Sequence, residues 1–547
     1  MGVVCAAILV WASLELVFLA VTMLYLAPRM NRLEAPAKYP IEGKRLMRKV
    51  VETLDWLASQ EDTEYDFHTF LEGWFLGAPT SALRHDNVVS FLAWAMYAKE
   101  VEDLSKGERK SALEMVKVAE DRLGRTLEPG FNPDVRCIRH TLDPVVPFAH
   151  RPLAIYALLG AGRAAIRVFL NLCGFRRGLA PCGTFSYWHR EACVTPGTGD
   201  GNAVGGPVVF FHGVGSGLPW YILAIWQVCR RRTSIVVESP SITMSLHLLR
   251  GHRPPSEKQL VESVEGIMKK HGLSRAAFFG HSFGSIAVAW MARRRPQLVS
   301  QVVLLDPVCL LLFLPNVARA FLYPEQIGLS FADKVMLKLV TQEKGISHTL
   351  RRHFWWYANV MWPDDIRCPI VVGLAGRDTI VPAKPLRRFL LSHPSFASSA
   401  SVAAGERTDG RDGSDSGCSG NGVRNEDDLV HSGGGSGGGG GSAAYDAGAS
   451  VQKGDVDGLN GFERNGGDPS APAFSSGGDC GKTGAAVKRA ELVYWPKMGH
   501  GAVLGNPRAL SEFMRVVERQ EKAFATNGSS VRNGSSLRRR ARGGSKG

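Results

Sequence analysis

Short apolar runs alternate with helix-like segments between residues 207 and 520, and this alternation restricts the possible folds more than any other feature of the chain. Runs in which neighbouring positions are all hydrophobic are typical of strands that are buried on both faces of a parallel sheet. The six predicted strands are Pro207–Phe211, Ser234–Val237, Ala276–Phe279, Gln301–Leu305, Pro369–Leu374 and Glu491–Tyr494. Helices are predicted between or after them over Glu257–Lys270, Ser285–Arg294 and Pro507–Gln520. The pattern predicts an α/β fold with a doubly wound, mostly parallel sheet.

The amino terminus carries an apolar segment that is long enough to cross a membrane. Residues Val3–Ala27 are apolar apart from positions such as Ser13, Glu15 and Thr22, and 25 residues suffice to span the hydrocarbon core of a bilayer. Basic residues follow the segment closely and none precede it: Arg29, Arg32, Lys38, Lys44, Arg45, Arg48 and Lys49. By the positive-inside rule, residues 1–28 are predicted to be a single-pass anchor, with the bulk of the chain on the cytosolic side. A cleaved signal peptide is the alternative, although the chain begins Met-Gly-Val-Val without a basic n-region.

Residues 29–150 are predicted to form a helical region ahead of the sheet. Apolar residues recur there at helical spacing over 41–125, and the aromatic residues between them indicate a packed core more than a ligand site. The next apolar stretch, Leu153–Phe175, carries Arg163 and Arg167 four positions apart. This pattern predicts an amphipathic helix that lies on the core or on a membrane surface, and not a second membrane span.

Composition sets the remaining domain boundaries. Residues 151–394 are predicted to hold the first part of the sheet domain, and residues 487–524 its end. Between them, residues 395–486 are dense in Gly, Ser and Asp without apolar periodicity, which predicts a disordered insertion. The arginine-rich tail at 525–547 is likewise predicted to be disordered.

The formal net charge of +14 is the compositional feature that suggests a nucleic-acid partner. The excess charge is spread over several segments that lack any RNA-binding or zinc-module motif, so nucleic-acid binding is not predicted. The ten cysteines include no Cys-x-x-Cys pair and no Cys/His spacing suited to zinc. We therefore expect reduced thiols in a cytosol-facing domain, and no bound metal.

The segment Gly280–Gly284, of sequence Gly-His-Ser-Phe-Gly, lies directly between a predicted strand and a predicted helix. A strand that turns at once into a helix holds its middle residue in a strained conformation, and small flanking residues let the backbones pass closely. This setting is that of a nucleophile elbow. It predicts Ser282 as a nucleophile whose hydroxyl is exposed above the sheet.

A serine hydroxyl becomes an effective nucleophile only beside a base, which in turn needs an acid to orient it. His500, within Met-Gly-His-Gly after the last predicted strand, is the predicted base. Asp378, just past the preceding predicted strand, is the predicted acid that fixes the tautomer of His500. Asp306 also follows a strand and is the rival acid, although its Asp-Pro context suits the start of a structural loop.

Two backbone amides are predicted to stabilise the developing oxyanion. Val214 lies in the glycine-rich loop after the first predicted strand, and Phe283 opens the helix after the nucleophile, where the helix N-terminus favours negative charge. The alternative for the first loop is that its glycines only form a tight turn. His212 and His281 lie inside these two motifs and are predicted to brace them.

With these four motifs in this order, residues 205–394 and 487–524 resemble an α/β-hydrolase fold domain of the lipase, esterase and thioesterase kind. The resemblance implies an acyl-enzyme route through Ser282 that requires no metal or organic cofactor. Asp378 and His500 are 122 positions apart, and without the 92 residues of the predicted insertion the separation is 30. That shorter spacing is more usual for this family.

The family places its cap between the strands that precede Asp306 and Asp378, which corresponds here to about residues 307–366. This stretch is rich in apolar residues, and with the predicted anchor it indicates a carboxylic ester of a lipid or acyl substrate. An apolar cap must also pack on its own domain, so this indication is indirect. The alternatives are an acyltransferase that uses the same triad, or a non-catalytic binding protein of this fold. In one acyltransferase subgroup the histidine belongs to a His-x-x-x-x-Asp pattern, whereas position 505 here is Gly.

Overall fold

The described residues of the computed structural model are built around an eight-stranded sheet. The structure describes residues 2–37, 43–60, 65–145, 151–192, 205–247, 253–323, 331–393, 396 and 490–540. The strands are β1 (Arg176–Leu179), β2 (Ser186–Arg190), β3 (Val208–Phe211), β4 (Ser234–Glu238), β5 (Ala276–His281), β6 (Val299–Leu305), β7 (Ile370–Ala375) and β8 (Ala490–Trp495). Their order across the sheet is β1-β2-β4-β3-β5-β6-β7-β8. Strands β3 to β8 are parallel, and β1 and β2 are antiparallel to their neighbours.

The predicted α/β class with a mostly parallel sheet is confirmed. Each of the six predicted strands corresponds to one of β3 to β8, within two residues at either end. Alternate residues of β3 enter two different cores: Val209 and Phe211 pack on one face of the sheet, and Val208 and Phe210 on the other. Burial on both faces explains why the strand is a continuous apolar run without polar alternation.

Strands β1 and β2 were not predicted, and the sheet therefore begins about 30 residues before the first predicted strand. Strand β1 is four residues long, and Arg176, Arg177 and Leu179 are exposed on it. An edge strand of this length, with charged residues on its surface, carries neither the apolar run nor the alternation that identifies a strand. Only its pairing with β2 defines it as a strand.

The helices cover both faces of the sheet and form the regions around it. They are α1 (Gly2–Ala20), α2 (Ala27–Met30), α3 (Gly43–Ala58), α4 (Phe67–Trp74), α5 (His85–Tyr97), α6 (Lys106–Leu123), α7 (Leu153–Leu172), α8 (Ile222–Cys229), α9 (Glu257–Lys270), α10 (Gly284–Arg294), α11 (Pro315–Leu322), α12 (Phe331–Thr341), α13 (Lys344–Arg352), α14 (Trp356–Asn359), α15 (Ala383–Ser392) and α16 (Pro507–Arg540). Helix α9 has the predicted bounds, because Ser256 caps it by accepting a hydrogen bond from the Gln259 amide.

Helix α16 differs from the prediction at its end. Its helical backbone continues to Arg540, although the chain from 525 was expected to be a disordered tail. Extending a helix that is already packed costs far less than nucleating one, so sequence composition alone underestimates its length. Residues 541–547 lie outside the described residues.

Helices α3 to α6 share one hydrophobic core with the helices α11 to α14, which lie between β6 and β7 where the cap is predicted. Two indole N–H groups tie the regions together: Trp74 Nε1 donates to the Phe313 carbonyl (3.0 Å) and Trp356 Nε1 donates to the Ala95 carbonyl (2.8 Å). The phenylalanine and tryptophan residues of α4 and α5 are buried, as predicted. The amino-terminal helices thus support the cap rather than standing apart from it.

Two described helices are long and apolar enough to cross a membrane by length and composition. One begins at Gly2 and runs through α1, a π-helical segment (Val21–Leu26) and α2 to Met30, with most of its first part exposed. The other is α7, whose predicted helical character is confirmed. The predicted insertion at 395–486 lies outside the described residues apart from Phe396, and no disulfide joins the described cysteines.

Candidate active site

Ser282 lies at the turn between β5 and α10, at the carboxyl end of the central strand of the sheet. Its backbone is in the left-handed region (φ +50°), and its amide donates to the Leu305 carbonyl at 3.0 Å. A non-glycine residue in this region is strained and persists only where the surrounding structure holds it. The strand-to-helix geometry on which the prediction of a nucleophile depends is present.

The glycines of this motif are required by close contacts. A Cβ at Gly280 would lie 2.8 Å from Val288 Cγ2, and a Cβ at Gly284 would overlap the carbonyl oxygen of Phe211. Gly213, on the neighbouring loop, is packed equally closely, since a Cβ there would lie 2.8 Å from Ser282 Cβ. The three glycines let α10 and the β3 loop approach Ser282 from both sides.

Asp378, His500 and Ser282 form a continuous chain of hydrogen bonds. His500 Nδ1 lies 2.7 Å from Asp378 Oδ2, and His500 Nε2 lies 2.8 Å from Ser282 Oγ. The other carboxylate oxygen of Asp378 accepts the amides of Ile380 (2.8 Å) and Val381 (2.9 Å), which fixes the orientation of the carboxylate. The structure therefore brings together the three side chains that were predicted as nucleophile, acid and base.

Asp306, the rival acid, occupies a different position in the same site. Its Oδ1 accepts the Ala375 amide and its Oδ2 accepts the Gly501 amide, each at 2.8 Å. It is fully buried, and burial raises the pKa of its carboxyl above the usual range. Asp306 thus ties the end of β7 to the loop that follows His500, and in the described structure Asp378 holds the imidazole.

Two carboxylates set the protonation of His500. Burial acts to lower the pKa of its imidazole, but the charge and hydrogen bond of Asp378, with a further contribution from Asp306, outweigh burial and raise the pKa to about 9. The imidazolium form is therefore favoured in the absence of substrate. An imidazole held in this way is a strong base once it is deprotonated.

One predicted oxyanion donor, Val214, follows Gly213, which packs against Ser282, and the other, Phe283, directly follows Ser282 in the chain. The amides that flank Val214 are both occupied, since Gly213 N donates to Tyr221 Oη (2.8 Å) and Gly215 N donates to the Ile242 carbonyl (3.1 Å). No described group accepts the amide of Val214 itself. The Phe283 amide precedes the first turn of α10. These hydrogen bonds hold the loop that contains Val214, and the assignment of the Val214 and Phe283 amides to the oxyanion stays a prediction.

Three aromatic side chains hold the loop that contains Val214. His212 Nδ1 donates to the Gly213 carbonyl (2.8 Å), and its Nε2 accepts the Ser239 amide (3.0 Å). Tyr221 Oη accepts the Gly213 amide and is hydrogen-bonded to His281 Nδ1 at 2.8 Å. Burial, with the nearby His500, lowers the pKa of His281 well below its usual range, so this histidine is neutral. His212 and His281 therefore brace the two motifs, in agreement with the prediction.

Sequence reasoning missed Tyr221 and Ser285. Tyr221 follows the glycine loop by a few residues, with no motif to distinguish it from a core aromatic residue. Ser285 Oγ donates to the Ser282 carbonyl (2.6 Å) and accepts the amides of Val308 (3.1 Å) and Cys309 (3.2 Å), and so connects the nucleophile turn to the start of the cap. A serine hydroxyl directly after Gly284 was the one sequence signal that could have identified Ser285 as part of the site.

An apolar cavity opens beside Phe283. Its walls are side chains of the sheet, of α10 and of the cap, and they include Ile242, Trp290, Thr349 and His353. The described residues also contain two groups of potential metal ligands. Within each group, the ligand atoms lie within 4.8 Å of one another. One is Asp306 with the Asp378–His500 pair, whose atoms are already hydrogen-bonded, and the other is Glu34 with His348 and His353 of the cap.

Comparison with known proteins agrees with this architecture. Residues 249–339, which include the Ser282 turn, match the family model described as the alpha/beta hydrolase fold. A relative in Caenorhabditis elegans, the abhydrolase domain-containing protein abhd-5.2, is 28% identical over 102 residues, which cover 18% of this chain and 23% of the relative. The match thus spans less than a quarter of that protein.

Solved structures were also found to be similar to this chain. A bacterial membrane phospholipase A is 15% identical, with 42% of this chain and 78% of the other covered and a TM-score of 0.29. The naproxen esterase of Bacillus subtilis is 14% identical, with coverages of 42% and 85% and a TM-score of 0.28.

Proposed function

This chain belongs to the α/β-hydrolase fold superfamily, and on that premise we propose that it is a membrane-anchored serine hydrolase that cleaves a carboxylic ester of a lipid or acyl substrate. The observation that carries the proposal is the unbroken hydrogen-bond chain from Asp378 through His500 to Ser282 at the strained strand-to-helix turn. Nucleophile, base and orienting acid at hydrogen-bond distance are the arrangement that acyl-enzyme catalysis requires.

The proposed reaction proceeds in two halves. Ser282 Oγ attacks the ester carbonyl carbon while His500 Nε2 takes the hydroxyl proton, and the amides of Val214 and Phe283 stabilise the oxyanion. The intermediate collapses when the carbon–oxygen bond to the alcohol breaks and His500 returns the proton to the leaving oxygen. Water then attacks the acyl-enzyme and gives a proton to His500. The bond between the acyl carbon and Ser282 Oγ breaks as His500 returns that proton to Ser282, and the carboxylic acid leaves. Asp378 stabilises the imidazolium in both halves.

The apolar cavity beside Phe283 supports an acyl substrate. It adjoins the nucleophile turn through Phe283 and Gly284, its lining is mostly hydrophobic, and the cap contributes Thr349 and His353 to it. Because Phe283 directly follows Ser282, an acyl chain bound there would have its carbonyl end directed toward the nucleophile turn. Pockets of this kind derive most of their affinity from apolar burial and their specificity from a few polar groups.

The helix from Gly2 to Met30 supports the membrane anchor. Its first part exposes apolar side chains, while Phe18 and Thr22 are buried against the rest of the molecule. Lys344 Nζ donates to Thr22 Oγ1 at 2.8 Å, so the helix is attached directly to the cap region. We propose that the catalytic domain faces the cytosol, because the basic residues follow the span. In sealed microsomes, a carboxyl-terminal tag is then digested by added protease without detergent, and a protected tag would reverse the orientation.

Labelling with a fluorophosphonate probe tests the proposed activity. The wild-type chain is expected to form a covalent adduct, and Ser282→Ala to lose it completely. Ser511→Ala, a substitution of an exposed serine on α16, is the matched control and is expected to label normally. Folded protein that does not label would remove the catalytic proposal and leave a non-catalytic binding protein. A wild-type enzyme that forms new esters faster than free acid when alcohols are added would be an acyltransferase instead.

A further inference from the structure

A second cavity, of about 420 Å³, lies between α7, the antiparallel strands β1 and β2, and the loop that follows β4. Four charged side chains line it, namely Arg163, Arg167, Arg177 and Glu238. Three arginines and one glutamate give the lining a formal charge of +2. We refer to this cavity as the arginine cavity. A partly enclosed cavity with excess positive charge favours an anionic ligand.

The single carboxylate does not neutralise the arginines. Glu238 lies 3.4 Å from Arg167 and 3.5 Å from Arg177, at the long end of ion-pair distances. Arg163 donates to the Met244 carbonyl (2.9 Å), and no carboxylate among the described residues is within ion-pair distance of it. Arg167 Nε is buried and finds no hydrogen-bond acceptor in the described part of the chain. The Arg167 side chain as a whole is 44% exposed and its Nη2 lies near Glu238, so the buried Nε–H is the donor that an anion with several oxygens would satisfy.

The surroundings of the arginine cavity point to a membrane lipid as the source of that anion. On α7, which carries Arg163 and Arg167, Leu158 is 74% exposed and Leu172 is 82% exposed. Leu179, which lines the cavity, is 69% exposed. A helix with one apolar exposed face and arginines on another is suited to lie at the boundary between acyl chains and headgroups. In that position the arginines are at the level of the lipid phosphates.

The amino-terminal helix extends this apolar surface. Glu15 Oε1 accepts the amide of Leu153 at the start of α7 (2.8 Å), and the rings of Phe18 and Tyr156 are in edge contact with centroids 5.8 Å apart. The helix proposed as the membrane anchor therefore packs against the start of α7. Continuity with the proposed membrane-embedded segment favours a phosphate that is presented by a bilayer over one that arrives from solution.

The arginine cavity and the apolar cavity beside Phe283 share the lining residue Phe185 and meet at the segment 239–243. Ser239, Ser241 and Ile242 line the apolar cavity, while Pro240 and Thr243 line the arginine cavity. The same segment is joined to the proposed oxyanion loop, because Gly215 N donates to the Ile242 carbonyl (3.1 Å) and Met244 N donates to the Gly215 carbonyl (3.0 Å). The two cavities thus lie beside one segment that is hydrogen-bonded to the proposed oxyanion loop.

We propose that the arginine cavity binds the phosphate group of a membrane glycerolipid, and that the ester cleaved at Ser282 belongs to a lipid of this phosphate-bearing class. The first part rests on the cavity and on the apolar surface formed by α7 and the amino-terminal helix, whereas the second also rests on the proposed hydrolase function. Arg163 and Arg167 hold the phosphate oxygens, and the acyl chain extends into the apolar cavity across the Pro240–Thr243 segment.

Binding is measured on the full chain in an uncharged detergent with the Ser282→Ala substitution, so that no turnover occurs. The probes are dihexanoyl phosphatidic acid, dihexanoylglycerol and inorganic phosphate. We expect phosphatidic acid to bind about tenfold or more tightly than either of the other two, because only it offers both the phosphate and the apolar chains. Phosphate that binds as tightly as phosphatidic acid would identify a site for a free anion and overturn the lipid assignment.

The double variant Arg163→Gln, Arg167→Gln is expected to lose about tenfold or more in affinity for phosphatidic acid and to leave dihexanoylglycerol binding unaffected. Arg176→Gln is the matched control, because Arg176 is an exposed arginine on β1 that does not line the cavity. If the double variant fails to fold, Arg163→Gln alone serves, since it leaves both ion pairs of Glu238 in place. Undiminished binding of phosphatidic acid by a folded variant would exclude the site.

The two proposals fail separately in this design. If the wild-type chain is not labelled by the fluorophosphonate but its lipid binding depends on the arginines, the hydrolase proposal fails and the phosphate site stands. Normal labelling together with lipid binding that does not depend on the arginines would keep the hydrolase and remove the phosphate site. With both intact, the wild-type enzyme is expected to cleave dihexanoyl phosphatidic acid with a kcat/KM above that for dihexanoylglycerol, and the opposite preference would overturn the substrate class.

Discussion

The triad and the arginine cavity lie close together but are built from different kinds of sequence signal. Ser282, Asp378 and His500 each follow the carboxyl end of a parallel strand, and their hydrogen bonds form where β5, β7 and β8 end. The arginine cavity instead combines one face of α7, an exposed edge strand and the end of β4. A site at the ends of parallel strands is marked by short motifs in a fixed order. A site formed by packing a helix against a sheet edge has no such motif.

The largest expected effect distinguishes the two buried acids of the triad region. Asp378→Asn removes the carboxylate that orients His500, and kcat for a short-chain ester is expected to fall about 10⁴-fold. Asp306→Asn leaves that hydrogen bond in place, so its kcat is expected to fall less. Each variant is measured at the pH of its own highest rate. Equal losses in the two variants would mean that the acids act as one unit and that the assignment to Asp378 is wrong.

The steric requirement of the nucleophile turn is tested with a glycine. Gly284→Ala places a Cβ on the Phe211 carbonyl and is expected to lower the free energy of unfolding by about 1–3 kcal/mol. The matched control is Gly107→Ala in α6, where a Cβ meets no atom within 4 Å and stability is expected to rise by roughly 0.5 kcal/mol. Denaturant unfolding of the two variants provides the comparison, and an unchanged midpoint for Gly284→Ala would contradict the close approach.

The pH dependence of the triad follows from the two carboxylates near His500. Only the neutral imidazole of His500 accepts the Ser282 proton. Because the pKa of His500 is raised to about 9, kcat/KM is expected to increase with pH up to about 9. Asp306→Asn removes one negative charge that favours the imidazolium, and the midpoint is expected to move to lower pH by roughly one unit. A midpoint that stays in place, in a variant with unchanged thermal stability, would show that Asp306 only braces the loops.

The smallest expected effect concerns one charge of the arginine cavity. For Arg163→Gln, the ratio of kcat/KM for dihexanoyl phosphatidic acid to that for dihexanoylglycerol is expected to fall about threefold, as for the loss of one partly exposed charge pair. Arg176→Gln is expected to leave this ratio unchanged. An equal decrease for both substrates would indicate that Arg163 acts by holding the Met244 carbonyl, and through it the oxyanion loop.

Local rules explain why much of the sheet and the nucleophile turn were predicted. A strand buried on both faces has to be apolar throughout, and the turn that presents Ser282 admits only glycine at Gly280 and Gly284. These constraints act over a few neighbouring residues, so they are visible in the linear sequence. Strands β1 and β2 and the supporting hydroxyl of Tyr221 depend on partners far away in the chain, and no local pattern reveals them.

The sequence by itself determined the parallel sheet, the position of Ser282 and the set of residues that can serve as its partners. Tertiary structure decided which partners meet. Asp306 and Asp378 both follow buried strands, and only the packing of β7 beside β8 gives Asp378 to the imidazole and leaves Asp306 to two backbone amides. It also decided that the arginines of α7 face a cavity, because burial of one helix face against a sheet edge is a property of the folded chain.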